Sequence, residues 1–150
     1  MSPRDKDPNL DSEFNKALAL RKLGDYQGAL KIFRELNLRH PNYAPILSMI
    51  GILYIDLGKH NDAVQYLRKN IVLSPRSHLA SRNLFHSLYE LEDYKGALIE
   101  MKRFLSISYH EDYEMIIKDQ EFLDMISETN EEDYSEIIRD INALLSKRKG

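Results

Sequence analysis

Apolar residues recur at intervals of three and four along most of this chain, which is the spacing of one face of an α-helix. One such stripe runs from Leu47 to Leu57, and a second runs from Ala63 to Leu73. Gly58 lies between the stripes, and glycine readily adopts the backbone conformation that ends a helix. Pro75 follows the second stripe, where it prevents the helix from continuing. The pattern therefore predicts two helices joined by a tight turn.

The same pattern recurs with a period of 34 residues. Ala29, Ala63 and Ala97 are separated by this interval, and a small residue lets two helices cross closely. Other positions repeat in the same register: Leu20, Tyr54 and Leu88; Leu23, Leu57 and Leu91; Phe33, Leu67 and Met101. The register predicts a flexible N-terminus at 1–9, three helix pairs at 10–43, 44–77 and 78–111, and a helical C-terminal cap at 112–150.

A 34-residue helix–turn–helix unit with these small, aromatic and proline positions resembles the tetratricopeptide repeat (TPR) family over residues 10–111. The residues that carry the resemblance are Gly24, Tyr26, Ala29, Phe33 and Pro41; Gly51, Tyr54, Gly58, Ala63 and Pro75; and Leu84, Leu88, Tyr94 and Ala97. The resemblance implies an all-α fold, a right-handed helical-repeat solenoid of three TPR helix pairs plus C-terminal capping helices.

Several positions depart from the family pattern. The early aromatic residue of each first helix is missing, a bulky residue replaces a small one in the third pair, and a polar residue replaces alanine in the second. These residues are Glu13, Leu47 and Ser81, then Phe85, and then Asn70. We expect them to change local packing more than the fold.

The segment 112–150 leaves the repeat register but keeps helical periodicity. It predicts a short helix near Tyr113, a second helix capped by Asp119, and a last helix opened by a capping box from Thr129 to Glu132. A repeat array needs a terminal element that covers its last exposed face, which predicts a cap. Alternatively, the last helix folds into the groove of its own or a neighbouring chain.

Composition and charge exclude several classes of protein. Of 150 residues, 43% are hydrophobic and 30% charged, as in a folded globular domain, and no cysteine is present. Disulfides, thiolate zinc sites and cysteine nucleophiles are therefore excluded. No apolar run approaches the ~20 residues that span a bilayer, so we expect a cytoplasmic protein without membrane insertion. The net charge of -3 argues against nucleic acid, including single-stranded RNA, as a partner.

The sequence offers no catalytic or metal-binding motif. Six residues separate Gly51 from Gly58, whereas a phosphate-binding loop needs four followed by lysine and serine or threonine. The five histidines share no metal-ligand spacing: His40, His60, His78, His86 and His110. We therefore expect no enzyme activity, no cofactor and no metal.

Function is expected in the groove, because the first helix of each stacked pair lines the concave side of such arrays. This register predicts a groove that is apolar at one end and polar and aromatic at the other, formed by Phe14, Leu18, Arg21, Ser48, Met49, Ile52, Ile55, Arg82, Asn83, His86 and Tyr89. Arg82 could pair with a ligand carboxylate or with acids near Glu90. An apolar strip of this kind predicts a non-catalytic module that binds a peptide or amphipathic helix, as an adaptor, scaffold or chaperone-like protein.

The family resemblance narrows the choice of partner. Some TPR co-chaperones hold the C-terminal carboxylate of a heat-shock chaperone with lysine, asparagine and arginine side chains. The corresponding positions here are Phe14, Leu18, Met49, Leu79 and Asn83, so the clamp is absent and that partner is not expected. The apolar substitutions resemble TPR proteins that bind hydrophobic segments, such as class II chaperones of type III secretion. The alternative is a structural, self-assembling homo-oligomer whose groove is filled by its own or a neighbour's C-terminal helix.

Overall fold

The computed structural model describes residues 2–129 and 132–149, and these ranges contain helices and turns but no strand. The predicted all-α fold is confirmed. The helices are α1 (Pro3–Lys6), α2 (Leu10–Lys22), α3 (Tyr26–Arg39), α4 (Ala44–Asp56), α5 (His60–Leu73), α6 (His78–Glu90), α7 (Tyr94–Ile107), α8 (Glu111–Ile117), α9 (Gln120–Glu128) and α10 (Ser135–Lys149). Within these ranges, no helix is both long and apolar enough to cross a bilayer.

The helices fall into two compact units, Met1–Ser74 and Pro75–Gly150. In the N-terminal unit, α2 packs against α3, α3 against α4, and α4 against α5. Close crossing in the α4–α5 pair depends on small residues. Ala63 is fully buried, and a Cβ atom added to Gly51 would lie 2.7 Å from a methyl carbon of Leu67. A larger residue at either position would therefore force the two helices apart.

Turn and cap chemistry closes each helix pair. Gly24 and Gly58 follow α2 and α4 with positive φ angles of 86° and 71°. Asp25 caps α3 by accepting a hydrogen bond from the Gly28 backbone N–H at 2.9 Å, and Asp93 caps α7 in the same way from Gly96. Each cap satisfies a backbone donor that the first turn of a helix leaves unpaired.

The C-terminal unit contains one repeat pair, α6 with α7, and the three helices that follow it. The last helix, α10, packs against α7 and α8, and Lys102 Nζ on α7 lies 2.9 Å from Asp140 Oδ2 on α10. α8 packs against α9. In the described part of this unit, α10 thus lies on α7 rather than on the first helix of the pair.

The start of the last helix differs from the predicted one. α10 begins at Ser135, whose backbone N–H donates to Asp133 Oδ1 at 2.9 Å. The Thr129 hydroxyl instead donates to the carbonyl oxygens of Met125 and Ile126 at the end of α9. Threonine at this place closes one helix and does not open the next. The other predicted members of the capping box at 130 and 131 lie outside the described residues.

Candidate functional site

A set of half-buried side chains lies on α2 and α4 of the N-terminal unit. We call this set the N-terminal face, and it consists of Phe14, Leu18, Arg21, Ser48, Met49, Ile52 and Ile55. On the same helix α4, Ile46, Ile50 and Leu53 are completely buried. α4 thus carries more apolar side chains than its packing within the unit encloses. Side chains such as Ile52 and Ile55 keep part of their apolar surface in contact with water.

An ion pair links α2 to the end of α4 beside this face. Arg21 Nε donates to Asp56 Oδ2 at 2.6 Å, and the hydrogen bond from this carboxylate raises the pKa of Arg21. The guanidinium predicted to face a ligand therefore already has a partner within the unit. Its main role is to hold the two helices in register, leaving the face predominantly apolar.

Phe14 belongs partly to the core and partly to the surface. Its ring meets Phe33 edge-on, with 4.9 Å between the ring centroids. With Leu18, it also lines a cavity of about 330 Å³ beside Tyr43 and Pro45. Arg4, Asp11 and Asn15 complete the lining, so the N-terminal face has a depression with both apolar and polar walls.

The C-terminal unit contains a larger cavity of about 550 Å³ between α6, α8 and α9. We call it the C-terminal cavity, and it is lined by Arg82, Phe85, His86, Tyr89, Ile116, Asp119, Glu121, Phe122 and Met125. The Phe122 ring centroid lies 6.2 Å from those of Phe85 and Tyr89. Aromatic side chains from α6 and α9 thus pack against one another in the lining, which also includes acidic side chains from α9 and from the residue before it.

Three of the four predicted residues of α6 line this cavity: Arg82, His86 and Tyr89. Asn83 is not among the lining residues, and its Nδ2 atom is shielded from solvent. The sequence pattern did not predict the lining residues on α9, which include Phe122 and Met125. These residues lie outside the repeat register, and the only available signal was the apolar stripe of α9 itself.

Arg82 pairs with an acid other than the one expected. Its Nε lies 3.9 Å from Asp112 Oδ2 on α8, so Asp112, and not Glu90, is the partner within the chain. The guanidinium carbon also lies 5.4 Å from the ring centroid of Phe85 and 5.6 Å from that of Tyr113. Because the ion pair is long and both side chains are partly exposed, Arg82 can still contribute to the charge of the cavity wall.

Two departures from the repeat pattern are compensated by α8. Ser81 is completely buried, and its hydroxyl accepts from the Tyr113 hydroxyl at 2.6 Å while donating to Glu100 Oε2 at 2.6 Å. The Phe85 ring lies 5.6 Å from the Tyr113 ring. Tyr113 therefore supplies the aromatic side chain that α6 lacks. Burial raises the pKa of the Tyr113 hydroxyl, which stays protonated and able to donate.

The histidines are arranged differently from the sequence expectation. The lack of ligand spacing predicted no metal site, but folding brings His78, His110 and Asp112 together with their potential ligand atoms within 4.8 Å of one another. Spacing along the chain does not reveal this cluster, because His78 and His110 lie on different structural elements and meet only in the folded unit. Among the described residues, this is the one cluster able to hold a metal ion.

Comparisons with known proteins identify a repeat family. Residues 20–69 match the family model described as a tetratricopeptide repeat. No curated protein sequence is similar enough to count as a relative. The matched segment includes the second helix of the first pair and the first helix of the second pair, together with most of α5.

Solved structures with the same fold cover most of the chain. A crystal structure of MamA has a TM-score of 0.69 and 21% identity, covering 93% of this chain and 73% of MamA. The type III secretion chaperone SycD of Yersinia enterocolitica, in complex with a peptide of the translocator YopD, has a TM-score of 0.63 and 14% identity, covering 95% and 96%. The Sgt2 TPR domain from Aspergillus fumigatus has a TM-score of 0.61 and 17% identity, covering 95% and 81%.

Proposed function

Because this chain is a tetratricopeptide repeat protein, we propose that it is a non-catalytic protein-interaction module that binds a peptide or an amphipathic helix. The observation that carries the proposal is the N-terminal face, where α4 exposes part of Met49, Ile52 and Ile55 beside its fully buried residues. Contiguous apolar surface beyond the needs of folding is typical of interaction sites. The partner would therefore present apolar side chains.

An amphipathic helix suits this face because its anchors recur on one side of the helix every three or four residues. Ile52 and Ile55 have the same spacing on α4, and Phe14 and Leu18 have a spacing of four on α2. A partner helix would place its anchors against these pairs, with one side chain in the depression beside Tyr43. Burying a few hundred Å² of apolar surface stabilises such a complex by several kcal/mol, at about 25 cal/mol per Å², before association costs.

The C-terminal cavity would bind a different part of a partner. Its walls combine the aromatic rings of Tyr89 and Phe122 with the charges of Arg82 and Glu121. Its volume of about 550 Å³ is within the range of pockets that enclose a ligand side chain. We propose that Arg82, His86 and Tyr89 orient a bound segment here through polar contacts, while Phe122 supplies apolar surface.

Similar structures support this proposal at the level of fold. SycD has been crystallised with a peptide of the translocator YopD. This chain shares the fold of SycD at 14% identity, and its own helices α2 and α4 carry partly exposed apolar residues. We propose a chaperone-like or adaptor role, in which the chain shields an apolar segment of its partner. We do not propose a heat-shock chaperone C-terminus as the ligand, since Phe14, Leu18 and Met49 cannot hold a carboxylate.

A peptide selected for binding to this chain can test the proposed interaction function. Short amphipathic helices would be selected from a displayed library on the immobilised full chain, and their dissociation constants measured by fluorescence polarisation. Ile52→Glu should weaken binding at least about tenfold, equivalent to ~1.4 kcal/mol, because a carboxylate would be desolvated at the contact. Leu38→Glu is the matched control, since Leu38 is 84% exposed on α3 and lies outside the N-terminal face.

The control variant should bind within about twofold of the wild type, as expected for a surface substitution outside the contact. Both variants must keep the wild-type circular dichroism and melting temperature. Equal affinities of Ile52→Glu and Leu38→Glu would rule out the N-terminal face as the binding site. Unfolding of Ile52→Glu would show that Ile52 is required for the core.

Self-assembly is the alternative function. Light scattering over a range of protein concentrations separates the two, because an adaptor remains monomeric without its partner while a self-assembling protein grows in mass. Within the described residues, α10 packs against α7 and α8, so this alternative relies on the C-terminal helix of a neighbouring chain.

A further inference from the structure

Three side chains whose nitrogen or carboxylate oxygen atoms can coordinate a metal ion lie together where α6 and α8 begin. His78 is the first residue of α6, His110 precedes α8, and Asp112 lies in its first turn. His78 Nε2 lies 3.4 Å from Asp112 Oδ2, and His110 Nδ1 lies 3.5 Å from the same oxygen. The cluster lies within the C-terminal unit, and none of its three residues lines the C-terminal cavity, although Asp112 pairs with Arg82 of that cavity.

These separations match the coordination geometry of a small ion. Two ligand atoms that each lie about 2.1 Å from a tetrahedral Zn²⁺ are about 3.4 Å from one another. The two nitrogen–oxygen distances, 3.4 and 3.5 Å, are close to this value. Both histidines therefore have a nitrogen at a suitable distance from the shared carboxylate oxygen, and the two stacked rings must rotate for both nitrogens to face one ion.

His78 Nε2 makes no hydrogen bond among the described residues, although the carboxylate of Asp112 lies 3.4 Å away. This nitrogen is shielded from solvent. The ring lies near Phe104 and Tyr113 and is stacked on His110, with 3.3 Å between the centroids.

We propose that His78, His110 and Asp112 form a binding site for a divalent transition-metal ion of the Zn²⁺ class, with water in the remaining position. Two imidazoles and one carboxylate are ligands that Zn²⁺ prefers, whereas Mg²⁺ and Ca²⁺ prefer oxygen ligands. The ion would be coordinated by His78 Nε2, which makes no hydrogen bond among the described residues. At His110 Nδ1, it would replace a hydrogen bond of 3.2 Å from the Asp112 backbone N–H.

The site would join two elements that are distant in sequence. His78 belongs to the third repeat pair, whereas His110 and Asp112 belong to the segment after it. An ion bound to all three would clamp the start of α8 onto the start of α6. Nearby Arg82, 3.9 Å from Asp112 Oδ2, competes for the carboxylate and would move away when the ion binds.

Titration of the full chain with Zn²⁺ in metal-free buffer, against a chromophoric chelator, tests the site. The wild type should bind one ion per chain, and Co²⁺ should give the visible absorption of a tetrahedral nitrogen and oxygen site. His110→Gln and Asp112→Asn should each weaken Zn²⁺ binding by at least about tenfold, because each removes one of three ligands. Mg²⁺ at the same concentration should not compete.

His60→Gln is the matched control, because His60 is the first residue of α5 as His78 is of α6. This variant should bind Zn²⁺ as the wild type does. His110 and Asp112 are both partly exposed, so their variants remain informative even if His78→Gln fails to fold. Wild-type affinity in Asp112→Asn, or an equal loss in His60→Gln, would overturn the proposal, as would the absence of stoichiometric Zn²⁺ binding to the wild type.

Discussion

At the scale of single residues, the turns that follow α2, α4 and α6 share one backbone geometry but differ in the residue that adopts it. Gly24 and Gly58 occupy the left-handed backbone region after α2 and α4, where glycine has no Cβ penalty. The equivalent residue after α6 is Glu92, with a φ of 60°. The third turn therefore has the geometry of the other two without the residue that suits it.

Replacing Glu92 with glycine should stabilise the protein. A side chain in the left-handed region costs roughly 1–2 kcal/mol, part of which is offset by the greater entropy of glycine in the unfolded chain. We expect Glu92→Gly to raise the free energy of unfolding by about 1 kcal/mol, measured by urea denaturation. The reverse change, Gly58→Glu, should lower it by a similar amount, and a loss of stability in Glu92→Gly would contradict this explanation.

At the scale of elements, α8 completes the packing of the third repeat pair through a buried polar network. Arg103 donates to both oxygens of Glu100 at 2.7 and 2.6 Å, and Ser81 and Tyr113 extend the network to α6 and α8. Glu100 is only 5% exposed, so its buried carboxylate depends on these partners for hydrogen bonds and charge compensation. The network therefore joins α8 to both helices of the third repeat pair.

Removing Arg103 should destabilise the C-terminal unit. In Arg103→Met the buried Glu100 carboxylate keeps only the Ser81 hydroxyl among these partners, and an uncompensated buried charge costs about 3–5 kcal/mol. Chemical denaturation monitored by circular dichroism measures the change. The double variant Arg103→Met with Glu100→Met should recover part of the loss because no buried charge remains. Equal stability of the wild type and Arg103→Met would show that the carboxylate does not depend on Arg103.

A second polar cluster ties the N-terminal segment to the end of α3. Asp7 Oδ2 lies 2.9 Å from His40 Nε2 and 2.8 Å from Arg39 Nη2. Hydrogen bonds first from His40 and then from Arg39 lower the pKa of Asp7 from 3.8 to about 2. The attachment therefore depends on the ionised carboxylate.

The attachment of the N-terminal segment to the end of α3 should weaken as the pH falls from 3.8 towards 2. Because the pKa of Asp7 is lower in the folded state, its contribution to stability is fully present above pH 3.8 and is lost as the pH falls towards 2. Hydrogen exchange of residues 2–9, compared between the wild type and Asp7→Asn, measures this effect. The wild type should lose protection in the window, whereas Asp7→Asn should have low protection throughout; identical profiles would contradict the assignment.

At the scale of the whole molecule, periodic positions were predictable and aperiodic contacts were not. The repeated alanines and prolines predict the helix pairs because each pair packs by the same local rule. Ser81 and Phe85 stood out as departures, but the side chains that accommodate them, Tyr113 and Phe122, lie in α8 and α9. Nothing periodic connects these segments, so the walls of the C-terminal cavity could only be found in the folded structure.

The histidine cluster shows the same limitation. His78 and His110 are separated by 31 intervening residues, far from the local spacing of a helical metal motif. Their meeting depends on how α8 docks on α6. The N-terminal face was easier to anticipate, since Ile52 and Ile55 lie within one helix whose register follows from its own sequence.

The most direct test of the proposed function is affinity capture from a lysate of the source organism with three folded baits: wild type, Ile52→Glu and Leu38→Glu. Captured proteins would be identified by mass spectrometry, and direct binding would be verified with the purified partner. We predict a partner that is retained by the wild type and Leu38→Glu and lost from Ile52→Glu. Retention of the same directly binding partner by all three baits would contradict the assignment of the N-terminal face as the binding surface.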